Sequence, residues 1–346
     1  MPEILSLVPM SETEADAVRA TDVSVRLVEA GGWFDGEFAD TWSAATVARY
    51  VSGAGRGSRA ERDRLLASAE IVVCGFPYPL DLYTRSPRLA WVHQTPAGAS
   101  NLKCSDLWGK HLAVTTSRGY GDSAAIAEYA IAGLLHFAKG FDHAQADRAR
   151  ERFEHAAYAP RAAHDHTVCV IGCGGIGREI GRLAHALGMR VVGTRATPEA
   201  ISDAVFERIG APADMHALLA ESDYVAVACQ WTPATTNLLD TAAFTAMKAG
   251  AIVVNVARGE IIDERALLAA LDGGRLRGAV LDVYAGEFEG PPPATLWRHP
   301  RVLITPHTSA WTDSIRRRAL ELFRTNLRRY LDGEALENRI NWARGY

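Results

Sequence analysis

The chain has 346 residues, of which 48% are hydrophobic and 23% are charged, and its 37 basic and 41 acidic residues leave a formal net charge of −4. This length suits two domains with separate cores, and the charge balance argues against a nucleic-acid-binding protein. The five cysteines include no CxxC pair, and the first ten residues lack the features of a signal peptide. We therefore expect a soluble cytoplasmic protein with no membrane segment and no metal site.

Residues 1–122 are predicted to form a smaller α/β domain. Short apolar runs alternate there with turn signals and helical segments, as in a parallel sheet with crossover helices. The segment Gly31–Tyr50 is rich in aromatic residues and is either a ligand-facing loop and helix or part of the core. The predicted strands are Ile4–Val8, Val23–Val28, Ile71–Cys74, Leu89–Val92 and Leu112–Thr116, and the predicted helices are Glu12–Ala20 and Arg59–Ala69.

Residues 123–306 are predicted to form a second α/β domain. It opens with a long apolar helix at Ser123–Lys139, followed by a polar segment, Phe141–Ala163, that we interpret as a surface arm or an oligomer contact. The final helix is expected to fold back onto the first domain, so that residues 307–346 complete it. The further predicted strands are Val168–Ile171, Val191–Gly193, Tyr224–Cys229, Ala251–Val256, Gly278–Val283 and Val302–Thr305, and the further helices are Ala213–Ala220, Thr241–Met247, Glu264–Leu271 and Asp313–Leu331.

The stretch from Val168 to Arg195 has the pattern of a dinucleotide-binding strand, glycine turn, helix and strand. In this pattern Gly172 permits a tight turn, Gly174 leaves room for a pyrophosphate, and Gly177 lets the helix lie close to the strand. The helix amino terminus then offers N–H groups to the phosphates. A turn that binds nothing is the alternative, but both flanking elements have the expected type and length.

The end of the second strand indicates which nicotinamide cofactor is used. Where an NAD enzyme carries an acidic residue, this chain has Thr194 and Arg195. An arginine there favours a 2′-phosphate, whereas a carboxylate would repel it. We expect a preference for NADP(H), with NAD(H) possible; the alternative is that Arg195 is a solvated surface residue.

Three ionisable residues follow predicted strands of the second domain, namely Arg258, Glu287 and His307. Ligands of open α/β sheets bind at the carboxyl ends of the strands, so all three are expected to face the nicotinamide. Separately, they could be a surface ion-pair partner, a solvated acid and a turn histidine. Together they suit hydride transfer: Arg258 would hold a substrate carboxylate and polarise the carbonyl, His307 would donate and recover a proton, and Glu287 would stabilise the imidazolium and set its tautomer.

Six segments resemble the D-isomer-specific 2-hydroxyacid dehydrogenases, and the likeness covers most of the chain beyond about residue 70. They are HQTPAGASN (93–101), AIAEYAIAGLL (125–135), GCGGIG (172–177), NVARGEIIDERALLAAL (255–271), GAVLDVYAGE (278–287) and ITPHTSAWT (304–312). Arg195 makes the chain most similar to NADP-using members such as glyoxylate/hydroxypyruvate reductases. Two departures concern cofactor contacts: Gln230 stands where the family commonly has proline, and Ala163–His166 replaces the usual Leu-x-Gly-Lys lead-in.

The resemblance implies an α/β fold of two Rossmann-like, doubly wound parallel-sheet domains, a flavodoxin-like substrate domain and a dinucleotide-binding domain. It implies catalysis by Arg258, Glu287 and His307 in an interdomain cleft, and usually a homodimer. A substrate carboxylate would be held by Arg258 and by backbone N–H groups of Ala97 and Gly98. The implied cofactor contacts are Gly172, Gly174, Gly175, Ile176, Gly177, Thr194, Arg195, Cys229, Ala257, Asp282, His307 and Ser309.

The predicted function is therefore that of a 2-ketoacid reductase or D-2-hydroxyacid dehydrogenase. The same scaffold could act on another small anion such as formate or phosphite. A nucleotide-sensing regulator similar to the transcriptional corepressors of this family is the alternative outside enzymology; its mark would be a peptide-binding groove or a long disordered tail.

Overall fold

The computed structural model describes residues 2–118, 123–155, 158–197, 204–312 and 315–343. The chain divides into two compact units. The first comprises Met1–Gly121, Phe288–Pro291 and Asp313–Tyr346, and the second comprises Asp122–Glu287 and Pro292–Thr312. Among the described residues, none of the helices combines the length and the apolar character needed to cross a membrane.

The first unit is built on a five-stranded parallel sheet of order β2-β1-β3-β4-β5, which is the flavodoxin-like order. Its strands are β1 (Glu3–Ser6), β2 (Arg26–Glu29), β3 (Ile71–Cys74), β4 (Trp91–Gln94) and β5 (Ala113–Thr116). Its helices, numbered along the whole chain, are α1 (Glu12–Arg19), α2 (Asp35–Thr41), α3 (Ala44–Tyr50), α4 (Arg59–Ser68), α5 (Leu82–Arg85) and α13 (Ile315–Leu331), with a 3-10 turn at Ser100–Cys104.

The central strands of this unit are buried on both faces, so β3 is apolar throughout, whereas β4 begins with apolar residues and ends in the buried polar residues His93 and Gln94. Helix α13 covers one face: the ring of Phe323 stacks on that of Trp91 at 5.3 Å. Helix α1 begins in a capping box, because Ser11 accepts from the N–H of Glu14 while the Glu14 side chain accepts from the N–H of Ser11.

The second unit is built on a seven-stranded parallel sheet of order β12-β11-β10-β9-β6-β7-β8. The order reverses at β6, which places a ligand crevice at the carboxyl ends of β6 and β9. The strands are β6 (Thr167–Ile171), β7 (Arg190–Thr194), β8 (Arg208–Gly210), β9 (Tyr224–Val227), β10 (Ala251–Asn255), β11 (Leu276–Leu281) and β12 (Val302–Ile304). The helices are α6 (Ser123–Ala138), α7 (Phe141–Ala149), α8 (Gly175–Ala186), α9 (Met215–Ala220), α10 (Thr241–Ala246), α11 (Glu264–Asp272) and α12 (Ala294–Trp297), with 3-10 turns at Pro212–Asp214, Pro233–Thr235 and Gly259–Ile261.

Helix α6 packs closely on the second sheet because two glycines leave room for it. A Cβ atom at Gly278 would lie 2.4 Å from the Phe137 ring, and one at Gly133 would lie 2.8 Å from a methyl group of Val280. Helix α11 begins where predicted, since the Asp263 side chain accepts from the N–H groups that open it. The two parallel sheets confirm the predicted fold class.

The aromatic-rich segment from Gly31 forms α2 and α3, and Phe34 and Phe38 in it are part of the core, which was one of the two alternatives. Several features differ from the sequence prediction. The strand predicted at Leu89–Val92 is β4 at Trp91–Gln94, helices α5, α7 and α12 were not predicted, and β8 is an edge strand too short to recognise from its pattern. The boundaries of the two units also differ from the predicted ones in two short segments. Residues 307–312 belong to the second unit, because the Asp282 carboxylate accepts from two N–H groups in that segment. Residues 288–291 belong to the first unit, because the Thr46 hydroxyl donates to the Phe288 carbonyl at 2.9 Å.

Candidate active site

The glycine turn after β6 has the backbone geometry expected of a dinucleotide-binding turn. Gly172 has a φ of +100°, and a Cβ atom there would lie 2.5 Å from the Cα atom of Cys229. Only glycine suits a position that combines this φ with so close a neighbour. A Cβ at Gly177 would lie 2.1 Å from the Gly172 carbonyl oxygen, so helix α8 meets the turn without side chains between them.

Gly174 differs from these two glycines, because a Cβ atom there would meet no atom of the described residues within 4 Å. Its missing side chain therefore leaves open space rather than accommodating packed protein. Gly174 is also the N-cap of α8, where helical N–H groups have no partner within the helix. The donors and the space both fit a dinucleotide pyrophosphate, and Gly175 and Ile176 form the first turn of the helix beside it.

The end of β7 lies next to β8 in the sheet. Thr194 is buried and pairs with Gly210, and the N–H of Arg195 donates to the Gly210 carbonyl at 3.0 Å. Arg195 thus begins the loop at the carboxyl edge of the sheet, which is where a ribose would lie.

Burial raises the pKa of the Cys229 thiol to about 12, so Cys229 contributes packing against the turn rather than a thiolate.

Arg258, Glu287 and His307 follow three neighbouring parallel strands, β10, β11 and β12. Their backbones consequently lie at one edge of the second sheet. The loop after β10 also touches the loop after β11, because a Cβ atom at Gly259 would lie 1.9 Å from the carbonyl carbon of Tyr284. The structure therefore groups these three predicted catalytic residues at the carboxyl ends of adjacent strands.

His307 and Glu287 are in direct contact. His307 Nδ1 lies 2.9 Å from Glu287 Oε1, with the carboxylate almost fully buried and about a quarter of the imidazole side chain exposed. A carboxylate acceptor makes Nδ1 the protonated nitrogen, so Nε2 is the nitrogen that would exchange a proton with a substrate. The backbone of His307 has a φ of +56°, which is unusual for a residue with a side chain and more frequent for histidine, asparagine and aspartate than for others.

Asp282 explains why the loop bearing His307 adopts this shape. Its Oδ1 accepts from the Thr305 hydroxyl at 2.6 Å and from the N–H of Thr308 at 2.8 Å, and its Oδ2 accepts from the N–H of Ser309 at 2.9 Å. The Asp282 carbonyl accepts from the N–H of His307 itself. The carboxylate has acceptor capacity beyond these three bonds. The predicted nicotinamide contact of Asp282 and the predicted cofactor contact of Ser309 remain predictions.

Asn255 holds the loop that bears Arg258, as Asp282 holds the loop that bears His307. This role of Asn255 was not recognised from the sequence. It is fully buried; its Oδ1 accepts from the N–H of Ala257 at 2.9 Å and its Nδ2 donates to the Arg258 carbonyl at 2.8 Å. The Arg258 guanidinium donates to the Ala257 carbonyl at 2.6 Å. An amide at the end of an otherwise apolar strand is the signal that would have identified it.

The predicted carboxylate-binding residues Ala97 and Gly98 lie in the first unit, in the loop that follows β4. Both are partly exposed, and among the described residues no acceptor bonds their N–H groups. Two successive N–H groups can bind an anion where the backbone curves so that both point to one side, and the carboxylate contact of Ala97 and Gly98 remains a prediction. Gln94 and Asn101, on either side, are bonded to each other and were also not singled out from the sequence.

Comparison with known proteins identifies the family of this chain. Residues 131–309 match the family model described as D-isomer specific 2-hydroxyacid dehydrogenase, NAD binding domain. The D-3-phosphoglycerate dehydrogenase of Methanocaldococcus jannaschii is 28% identical over 277 residues, which are 80% of this chain and 52% of that protein. The chain spans about half the length of the curated relatives it matches.

Solved structures resemble the chain over its whole length. A D-isomer specific 2-hydroxyacid dehydrogenase from Xanthobacter autotrophicus, in complex with NADPH and MES, has a TM-score of 0.78 at 25% identity and covers 100% of this chain and 99% of its own. An NADPH-dependent glyoxylate/hydroxypyruvate reductase from Sinorhizobium meliloti, in complex with NADP and sulfate, has a TM-score of 0.77 at 21% identity, and the match covers 100% of each chain. At this identity the similarity shows a shared fold only. The chain belongs to the D-isomer specific 2-hydroxyacid dehydrogenase family and has that family's nicotinamide-cofactor-binding domain.

Proposed function

We propose that the protein is an NADP(H)-preferring oxidoreductase that interconverts a small 2-ketoacid and the corresponding D-2-hydroxy acid. The observation that carries this proposal is the 2.9 Å bond between His307 and Glu287 at the strand end next to that of Arg258. A partly exposed imidazole backed by a buried carboxylate is suited to exchanging a proton with a substrate oxygen.

The proposed chemistry divides between cofactor and protein. When bound, the nicotinamide cofactor supplies or accepts the hydride. In reduction, Arg258 orients the substrate carboxylate and polarises the carbonyl, and His307 Nε2 gives its proton to the oxygen as negative charge develops there. Glu287 stabilises the imidazolium before the transfer. In oxidation, His307 takes the hydroxyl proton back. The N–H groups of Ala97 and Gly98 hold the substrate carboxylate.

The cofactor preference rests on Arg195 at the end of β7, where a guanidinium would pair with a 2′-phosphate. Gly172, Gly174 and the first turn of α8 would hold the pyrophosphate. Ala257 and Asp282, which follow neighbouring strands, would contact the nicotinamide.

A substrate panel tests the proposal. NADPH and NADH oxidation are followed by absorbance with glyoxylate, hydroxypyruvate and larger 2-ketoacids, and the reverse reaction with D-lactate and D-3-phosphoglycerate. We expect 2-ketoacid reduction, with kcat/KM higher for NADPH. Turnover only of formate or phosphite would replace the substrate assignment, and cofactor binding without turnover of any compound would favour the regulatory alternative.

We further propose a cytoplasmic homodimer. None of the five cysteines is in a disulfide, which is compatible with a reducing compartment. Helix α7 has no buried residue, and Phe141 at its start and Phe153 beyond its end are exposed. Such exposed apolar side chains suit a contact with a second copy. Sedimentation analysis checks this, because Phe153→Ser should weaken a dimer and a monomeric wild type would contradict it.

A further inference from the structure

The loop after β4, here the β4 loop (Thr95–Ala99), is held from inside the protein by a pair of side-chain amides. Gln94 is fully buried at the end of β4, and its Nε2 donates to the Gly98 carbonyl at 2.6 Å and to Asn101 Oδ1 at 3.2 Å. Asn101 Nδ2 returns a bond of 3.0 Å to Gln94 Oε1. A buried amide with its donors and its acceptor all bonded has a single orientation.

These bonds control which way the peptide groups of the β4 loop point. In a trans peptide the C=O and the following N–H point in opposite directions. Because the Gly98 carbonyl is drawn toward Gln94, the N–H of Ala99 is turned away from it. Likewise the Pro96 carbonyl accepts from the N–H of Ser117 at 3.3 Å, so the N–H of Ala97 points away from Ser117.

We infer that Gln94 is a positioning residue for the substrate carboxylate, with Asn101 orienting it. This inference rests on the proposed function of Ala97 and Gly98. A carbonyl oxygen carries a partial negative charge, so a Gly98 carbonyl that faced the ligand would repel an anion, whereas N–H groups attract it. The Gln94 amide keeps that carbonyl on the protein side of the loop. The backbone of Asn101 is held in turn, because the Tyr78 hydroxyl donates to its main-chain carbonyl at 3.2 Å.

The test uses the full chain and a graded set of substitutions. Gln94→Met keeps the side-chain length and removes every hydrogen bond. Gln94→Glu retains an acceptor for Asn101 but cannot donate to Gly98. Asn101→Ala leaves the Gly98 bond while removing its orienting partner. Asn326→Ala is the matched control, since Asn326 is a fully buried amide of the same unit that bonds the Glu337 backbone at 3.0 and 2.8 Å.

The readouts are KM and kcat for the best 2-ketoacid of the panel, the Kd of NADPH, and the Kd of oxamate, a 2-ketoacid analogue, measured by calorimetry on the NADPH complex. Both Gln94 variants should raise KM and the oxamate Kd about ten-fold, which matches the loss of one hydrogen-bonded orientation. Asn101→Ala should give a smaller increase. The Kd of NADPH should not change, and Asn326→Ala should lower Tm without altering KM.

Wild-type KM and oxamate Kd in Gln94→Met would overturn the inference. So would equal increases in Gln94→Met and Asn326→Ala, because these would indicate general loss of packing. A wild type that neither reduces 2-ketoacids nor binds oxamate would refute the proposed function as well, whereas an active wild type with insensitive Gln94 variants would refute the positioning role alone.

Discussion

The imidazole of His307 is hydrogen-bonded to the carboxylate of Glu287 at 2.9 Å although 20 residues separate them in the chain. The bond forms because β11 and β12 are parallel neighbours and the loops leaving them meet at one sheet edge. It sets the tautomer of the imidazole and brings a counter-charge to the protonated form. Catalysis should therefore depend on both residues, and more strongly on His307 than on Glu287.

His307→Asn should lower kcat by roughly 10²- to 10⁴-fold, the usual contribution of general acid–base catalysis. Glu287→Gln should have a smaller effect, about ten-fold or more, because an amide retains a bond to the ring but lacks the charge that stabilises imidazolium. Steady-state kinetics and an NADPH titration check this, with cofactor affinity expected to be unchanged. Glu289→Gln, an exposed glutamate nearby, is the control. Wild-type kcat in His307→Asn would show that His307 is not the acid.

Substitutions at two glycines of the turn should affect different properties: cofactor binding at Gly174 and stability at Gly177. Gly174→Ser adds a side chain where no atom of the described part of the chain lies within 4 Å, and serine is itself a good N-cap, so Tm should hold while the Kd of NADPH rises. Gly177→Ser places a Cβ 2.1 Å from the Gly172 carbonyl oxygen and should cost about 1–3 kcal/mol of stability. Thermal unfolding and NADPH titration measure both effects. Wild-type NADPH affinity in Gly174→Ser would indicate that the pyrophosphate does not lie there.

Arg195→Gln should lower kcat/KM for NADPH by about 10- to 100-fold, the range expected for losing hydrogen bonds between charged groups. The value for NADH should change little, since NADH has no 2′-phosphate. Arg208→Gln removes the same charge from the neighbouring strand, where Arg208 is paired with Glu221, and serves as the control. If the NADPH to NADH ratio is the same in Arg195→Gln and the wild type, another residue selects the cofactor.

His93 should make the protein acid-sensitive. Burial lowers the pKa of this histidine to about 3, from an ordinary value of 6.5, and its Nδ1 contacts the Thr115 hydroxyl at 2.9 Å. Since the folded-state pKa is the lower one, the unfolded chain binds the proton first. The stabilisation is complete above about pH 6.5 and falls by about 1.4 kcal/mol per pH unit below it, down to about pH 3.

His93→Leu should flatten this dependence between pH 7.5 and 5, measured as the urea concentration of half-unfolding. The exposed His111 of the same unit provides the control, because His111→Leu should keep the wild-type slope. An identical pH dependence in wild type and His93→Leu would contradict the assignment.

The sequence alone was sufficient for the fold class and for the backbone of the cofactor turn. Buried parallel strands appear in the sequence as apolar runs. A turn with a positive φ or a close backbone approach requires glycine, so the presence of Gly172 and Gly177 indicates the conformation of the turn. The positions of Arg258 and His307 just after strands likewise follow from the order of elements. Strand β8 was missed because three residues carry too little periodicity.

Which side chains meet was decided by the tertiary structure. The pairing of Glu287 with His307 was expected from the sequence, but the 2.9 Å contact between them depends on the register of β11 and β12. Asp282, Asn255 and Gln94 are polar residues in apolar surroundings, and a sequence shows such a residue without showing which backbone groups it must satisfy. Those partners exist only once the loops are folded around them, since burial makes each unpaired polar atom costly and so selects one arrangement.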